Sequence, residues 1–183
     1  MLQITIPAPE SEDWDEKKEE FTYHTIGKPY TLCLEHSLVS ISKWESKWHK
    51  PFLSSEKSDE EFLDYIKCMT LTHNIPDEAY TRLTVENVNE IAEYVNNPMT
   101  ATTFSKENKK PSREIITSEI IYSWMITLHI PVEFEKWHIR RLLTLIRVCE
   151  IHNTPPKKMS KRDIMSRNSA LNAARRKQFN SKG

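Results

Sequence analysis

The chain of 183 residues contains only two glycines, Gly27 and Gly183. That scarcity constrains the fold more than any other feature. A backbone cannot wrap closely around a phosphate without glycine, so the P-loop and the dinucleotide fingerprint are excluded. The tight hairpin turns of sandwiches and barrels usually need residues with positive φ, so an all-β architecture is disfavoured as well. Of the 26 acidic residues, 20 are glutamate, which together with the missing glycine leans the chain towards helix.

Hydrophobic periodicity divides the chain into elements. Leu2, Ile4 and Ile6 alternate with Gln3 and Thr5 as a short strand that Pro7 and Pro9 stop. Residues 10–20 hold seven acids against Lys17 and Lys18 and read as an acidic, solvated linker. Phe21–Ile26 and Tyr30–Leu34 alternate again, and Gly27-Lys-Pro29 between them predicts a hairpin.

From Leu38 the period becomes helical. Leu38, Ile41, Trp44 and Trp48 share one face. Ser58 with Glu61 forms a capping box for a helix carrying Phe62, Tyr65, Ile66 and Met69. Thr84 caps a helix with Val85, Val88, Ile91, Ala92 and Val95 on its apolar side. Residues 98–114 are rich in Thr, Ser, Lys and Asn and read as an exposed loop. The most apolar stretch follows, Ile116 to Leu128, then a second long helix from Glu133 to Ile151. Around Pro131 these predict a helical hairpin, 116–151, at the centre of the core. The expected fold is mainly α within the α+β class: a small N-terminal β element and about six helices.

Overall neutrality conceals a segregation. Lysine plus arginine and aspartate plus glutamate both total 26. The segment from Pro155 onward carries nine bases and only Asp163, a net of +8, so residues 1–154 carry −8. Two parts follow: a body over 1–154 and a basic tail over 155–183. Within the tail, Ser160 with Asp163 repeats the capping signature. The helix it opens has a thin stripe of Ile164, Leu171 and Ala174 amid bases, so it buries little by itself.

A search for chemistry finds none. Cys33, Cys68 and Cys149 are odd in number and widely spaced, which gives no disulfide framework and no CxxC pair. The seven histidines, His24, His36, His49, His73, His129, His138 and His152, match no metal-binding spacing. A GxSxG elbow is impossible without glycine. The expectation is a non-enzymatic protein with no metal and no cofactor. With no apolar leader and no 18-residue apolar run, it is expected in a reducing cytosol, off the membrane. The candidate partner-binding residues are Lys157, Lys158, Lys161, Arg162, Arg167, Arg175, Arg176 and Lys177 in the tail. Trp44 and Trp48 join them, because tryptophan dominates interface hot spots, although core packing is their plainer explanation. The tail bases are not interleaved with aromatic residues, which favours an acidic protein partner over nucleic acid. Charge segregation also allows self-association end to end.

Three stretches carry a resemblance. They are Leu34-Glu-His-Ser-Leu-Val-Ser-Ile-Ser-Lys-Trp-Glu-Ser-Lys-Trp48 with Pro51-Phe-Leu53, then Trp124 to Arg147, and the closing Pro155-Pro-Lys-Lys-Met-Ser-Lys-Arg162 with Arg167-Asn-Ser-Ala-Leu-Asn-Ala-Ala-Arg-Arg176. They resemble small proteins of the tail modules of long-tailed bacteriophages, the tail assembly chaperones. The resemblance implies a protein of the host cytoplasm that holds the tape measure protein soluble, helps recruit tail tube subunits and is absent from the mature virion. It further implies that this chain is the shorter of two forms, the longer made by translational frameshift. A structural tail or neck subunit of the virion and a small nucleic-acid-binding protein are the alternative readings.

Overall fold

The computed structural model describes residues 1–104, 115–154 and 160–180. The fold is α+β and mainly helical, with two small antiparallel strand pairs at the N-terminus. The chain divides into two units, Met1–Glu150 and Ile151–Gly183.

The strands are β1 (Leu2–Ile6), β2 (Glu10–Asp15), β3 (Glu20–Thr25) and β4 (Tyr30–Leu34). Their pairing differs from the expected hairpin. β4 pairs with β1, not with β3, and β3 pairs with β2. The register explains the choice. Leu2 lies opposite Leu34, Ile4 opposite Leu32 and Ile6 opposite Tyr30, so every large apolar side chain of both strands falls on one face. Ile4, Ile6, Leu32 and Leu34 are buried there. Pairing β4 with β3 would have given it the exposed Phe21 and Tyr23 instead.

The acidic segment 10–20 is correspondingly no linker. Its first six residues are β2, and Glu16–Glu19 form the turn into β3. All four strands therefore belong to one long antiparallel ribbon, broken between its two halves. Pro7 and Ala8 on one side face Gly27, Lys28 and Pro29 on the other, and the amide of Ile26 donates to Pro9 O (2.7 Å). The extra residue makes a bulge, and Gly27 takes φ of 104° there. The glycine predicted to turn the chain kinks it.

The helices are α1 (Leu38–Trp48), α2 (Asp59–Met69), α3 (Asp77–Tyr80), α4 (Val85–Asn96), α5 (Ser118–Thr127), α6 (Ile139–Asn153) and α7 (Lys161–Phe179). Capping follows the sequence signals. Ser58 and Glu61 cap α2 reciprocally, Thr84 and Asn87 cap α4, and Ser160 accepts from the Asp163 amide at the start of α7. Ser37 and Ser40 form a further box on α1.

The centre of the core is α1, not the 116–151 hairpin. Leu38, Ile41 and Trp44 are fully buried, and α1 packs against α2, α5 and a 3-10 turn at Val132–Lys136. The indole of Trp44 donates to Glu61 O (2.8 Å) and meets the edge of Phe52 at 5.2 Å. Beside it the Lys57 ammonium lies 4.0 Å over the Phe52 ring and donates to the carbonyls of Phe52 and Ser55.

The expected helix 133–151 is interrupted. Trp137 adopts extended angles, and α6 starts only at Ile139. The break has a structural use. It lets the Ile139 amide donate to His36 O (2.8 Å) and Ser37 bridge to His138, which ties α6 to the start of α1.

One carboxylate joins three distant segments. Glu45 on α1 is buried. Its Oε1 accepts the Phe52 amide and its Oε2 the Ser118 amide, both at 2.7 Å. Thr117 makes no side-chain cap on α5, so Glu45 supplies an acceptor for that helix start from 73 residues away. We predict that Glu45→Ala, which strands both buried amides, destabilises the body by about 2–4 kcal/mol. Urea unfolding checks this; a midpoint equal to wild type would show that neither bond matters.

Candidate functional site

The sequence-derived candidates separate into two groups. Trp44 has no exposed surface and its indole N–H is satisfied inside, so it is not a partner-binding residue. Trp48 is half-buried and donates to Asp64 Oδ2 (2.9 Å), with the Lys47 ammonium 5.6 Å over its ring. Both tryptophans belong to the packing of α1 on α2, which is the physical reason they lie at helical spacing with Leu38 and Ile41.

Six of the tail bases, Lys161, Arg162, Arg167, Arg175, Arg176 and Lys177, stand on α7; Lys157 and Lys158 lie outside the described residues. Every described residue from Ser160 to Asn180 is exposed. The helix is held by local terms. Ser160 and Asp163 close its N-terminus, Asn180 in the left-handed conformation closes its C-terminus, and Arg176 and Lys177 in the last turn oppose the helix dipole. Its net charge over 160–180 is +5.

The ribbon tip is a surface that sequence reading missed. Trp14 and Phe21 are directly paired across β2 and β3, with ring centroids 4.8 Å apart in an edge-on arrangement. Tyr23 lies on the same face, two pairs further from the turn and opposite Glu12. All three rings are at least half exposed: Trp14 51%, Phe21 57% and Tyr23 61%. Seven acids against two lysines over residues 10–25 give this arm a net charge of −5. The charge of Glu12 pushes the Tyr23 phenol up. The arm is therefore an aromatic stripe set in negative charge. Trp14 is the one apolar residue among the seven acids of residues 10–20, so no alternation marked the strand.

A third cluster sits at the start of α1. The rings of His36 and His138 lie 4.9 Å apart, edge to face. His36 Nδ1 is bonded to the Tyr65 hydroxyl. His138 Nδ1 accepts the Arg140 amide (3.3 Å), which leaves its protonated Nε2 to donate to Tyr94 O (3.1 Å). The Tyr94 hydroxyl donates to Glu35 Oε1 (2.6 Å), whose other oxygen meets the Met1 ammonium at 3.1 Å. This network joins the N-terminus, α1, α2, α4 and α6. Its polar atoms are committed to one another, so it is construction. Beside it a cleft of about 230 Å³, lined by Glu35, Lys136, Trp137 and Arg141 among others, falls below the usual size of a small-molecule site. Among the described residues no three His, Cys, Asp or Glu side chains converge as metal ligands, and no helix is long and apolar enough to cross a membrane.

No family model, curated protein or solved structure matches the chain.

The histidine pair makes stability depend on pH. Burial, then the neighbouring His138, Arg140 and Lys57, lowers His36 to about 3. Burial lowers His138 as well. The unfolded state therefore binds more protons than the folded state below about pH 6.5, so stability is complete above that pH and falls as pH drops. The loss attributable to His36 between pH 7.5 and 5.0 is about 2 kcal/mol. Urea midpoints at both values check it, with His36→Asn expected to flatten the slope. A wild-type midpoint that does not move would contradict the neutral, buried pair.

Proposed function

We propose that the chain is a tail assembly chaperone of a long-tailed bacteriophage. In this reading it is a non-enzymatic protein of the host cytoplasm. It binds the tape measure protein, keeps it soluble and helps bring tail tube subunits to it.

The observation that carries the reading is α7. It is a 19-residue basic helix, and every described residue from Ser160 to Asn180 is exposed. A helix of that kind suits an acidic or amphipathic partner, and coupling its order to binding is a common use of such segments. The resemblance supports the same role. Its first stretch, Leu34–Trp48, supplies the central helix α1, and its second, Trp124–Arg147, supplies the end of α5, the 3-10 turn and the start of α6. The third covers the start and the middle of α7. A folded scaffold in a chain that also carries an exposed helix is what a binding protein needs.

Co-expression with the tape measure protein of the same phage tests the proposal. The expected result is a soluble tape measure protein that co-purifies with this chain. Deletion of residues 155–183 should abolish co-purification while shifting the melting temperature of the body by less than ~2 °C, because every described residue from Ser160 to Asn180 is exposed. An insoluble partner and no co-purification would overturn the proposal. Stoichiometric recovery of the chain in purified virions would do so in favour of a structural subunit.

A further inference from the structure

We propose that the β2–β3 arm of one copy clasps α7 of a second copy, so that the chain self-associates head to tail. The contact uses the same helix as the tape-measure reading but does not rest on that reading, and it is measured on the purified chain alone.

The two surfaces match in charge, chemistry and size. The arm carries −5 over residues 10–25 and α7 carries +5 over residues 160–180. Charges of this density attract over about a Debye length and orient the encounter. The apolar parts match too. On α7, Lys161, Ile164, Asn168, Leu171, Arg175 and Phe179 follow at spacings of three and four and so share one face. That face alternates a base or amide with an apolar side chain. Ile164, Leu171 and Phe179 are 44%, 47% and 73% exposed.

Opposite them the arm offers Trp14, Phe21 and Tyr23 on one face, with Glu10 and Glu12 at alternate positions of the same face. Aromatic rings can cover Ile164 and Leu171 while the glutamates meet Lys161 and Arg175. A six-residue strand spans about 20 Å, and a 19-residue helix about 28 Å, so the arm can lie along most of α7.

The ribbon itself gives a second reason. β1 and β4 bury their shared apolar face, whereas β2 and β3 pack chiefly on each other and leave their aromatic face in water. Two isolated strands are marginal in stability without a covered face. A partner helix supplies that cover. Because arm and helix are different surfaces, the contact is heterologous, and repeated copies build an open chain or close a ring.

Sedimentation of the full chain tests this. At ~50 mM salt the wild type should form oligomers whose mass rises with concentration up to about 200 µM, and these should dissociate at ~500 mM salt. Glu10→Lys with Glu12→Lys on the arm, and Lys161→Glu with Arg175→Glu on α7, should each give monomer. The two charge-reversed proteins mixed together should re-associate. Trp14→Ser, which changes no charge, should weaken association roughly tenfold. Circular dichroism of each variant should match wild type. A wild type that stays monomeric throughout overturns the proposal, as would be the case if the arm and helix met only within one chain. Oligomers indifferent to both charge reversals, or failure of the mixed variants to re-associate while each is folded, would overturn it equally.

Discussion

The body rests on the buried carboxylate of Glu45. Two backbone amides from segments that are otherwise unrelated in sequence converge on it, Phe52 beyond the end of α1 and Ser118 at the start of α5. An amide buried without an acceptor is costly, so a single side chain fixes where both segments sit relative to α1. The loop that follows Phe52 then places Lys57 over the Phe52 ring, against the wall formed by Trp44. The start of α5 brings Ile121 and Met125 into the core. Hydrophobic burial supplies most of the stabilisation here, but it is non-directional. The carboxylate decides which arrangement of apolar faces forms.

The His36–His138 network does the same at the other end of α1. It draws in Tyr65, Tyr94, Glu35 and the N-terminal amine, and it accounts for the break before α6. With both ends of α1 fixed by polar contacts and its middle by Trp44, the interior is fully specified within residues 1–150. What remains has little to bury. The β2–β3 arm and α7 are stabilised by their own ladders and caps, carry opposite charge, and keep their apolar side chains in water. Buried and exposed apolar side chains thus fall in different segments of the chain.

Much of this was legible in sequence, and the reason is locality. The box at Ser58/Glu61 and the Ser160 cap on the Asp163 amide each lie within four residues, so the helices they open could be placed without tertiary information. The existence of β1, β3 and β4 followed from period-two alternation. Their partners did not, because alternation says which side chains share a face and nothing about which strand lies alongside. Gly27 was read as a turn when it is a bulge, since either needs positive φ. The acids of residues 10–20 concealed β2, whose ladder depends on backbone bonds that charge does not prevent. Glu45 reads as one more surface acid on an amphipathic helix. Only the amides of Phe52 and Ser118 reveal its role, and both come from tertiary structure. Trp44 and Trp48 could be core or interface on spacing alone, and packing against α2 decided it.

The separation of a packed body from the exposed helix α7 is tested most directly by amide hydrogen exchange on the full chain at low micromolar concentration. Amides of α1 from Ile41 to Trp48 should exchange only through global unfolding, whereas those of α7 should exchange by local fraying, orders of magnitude faster. Protection of α7 equal to that of α1 in the dilute, isolated chain would contradict the separation and make the helix part of the core.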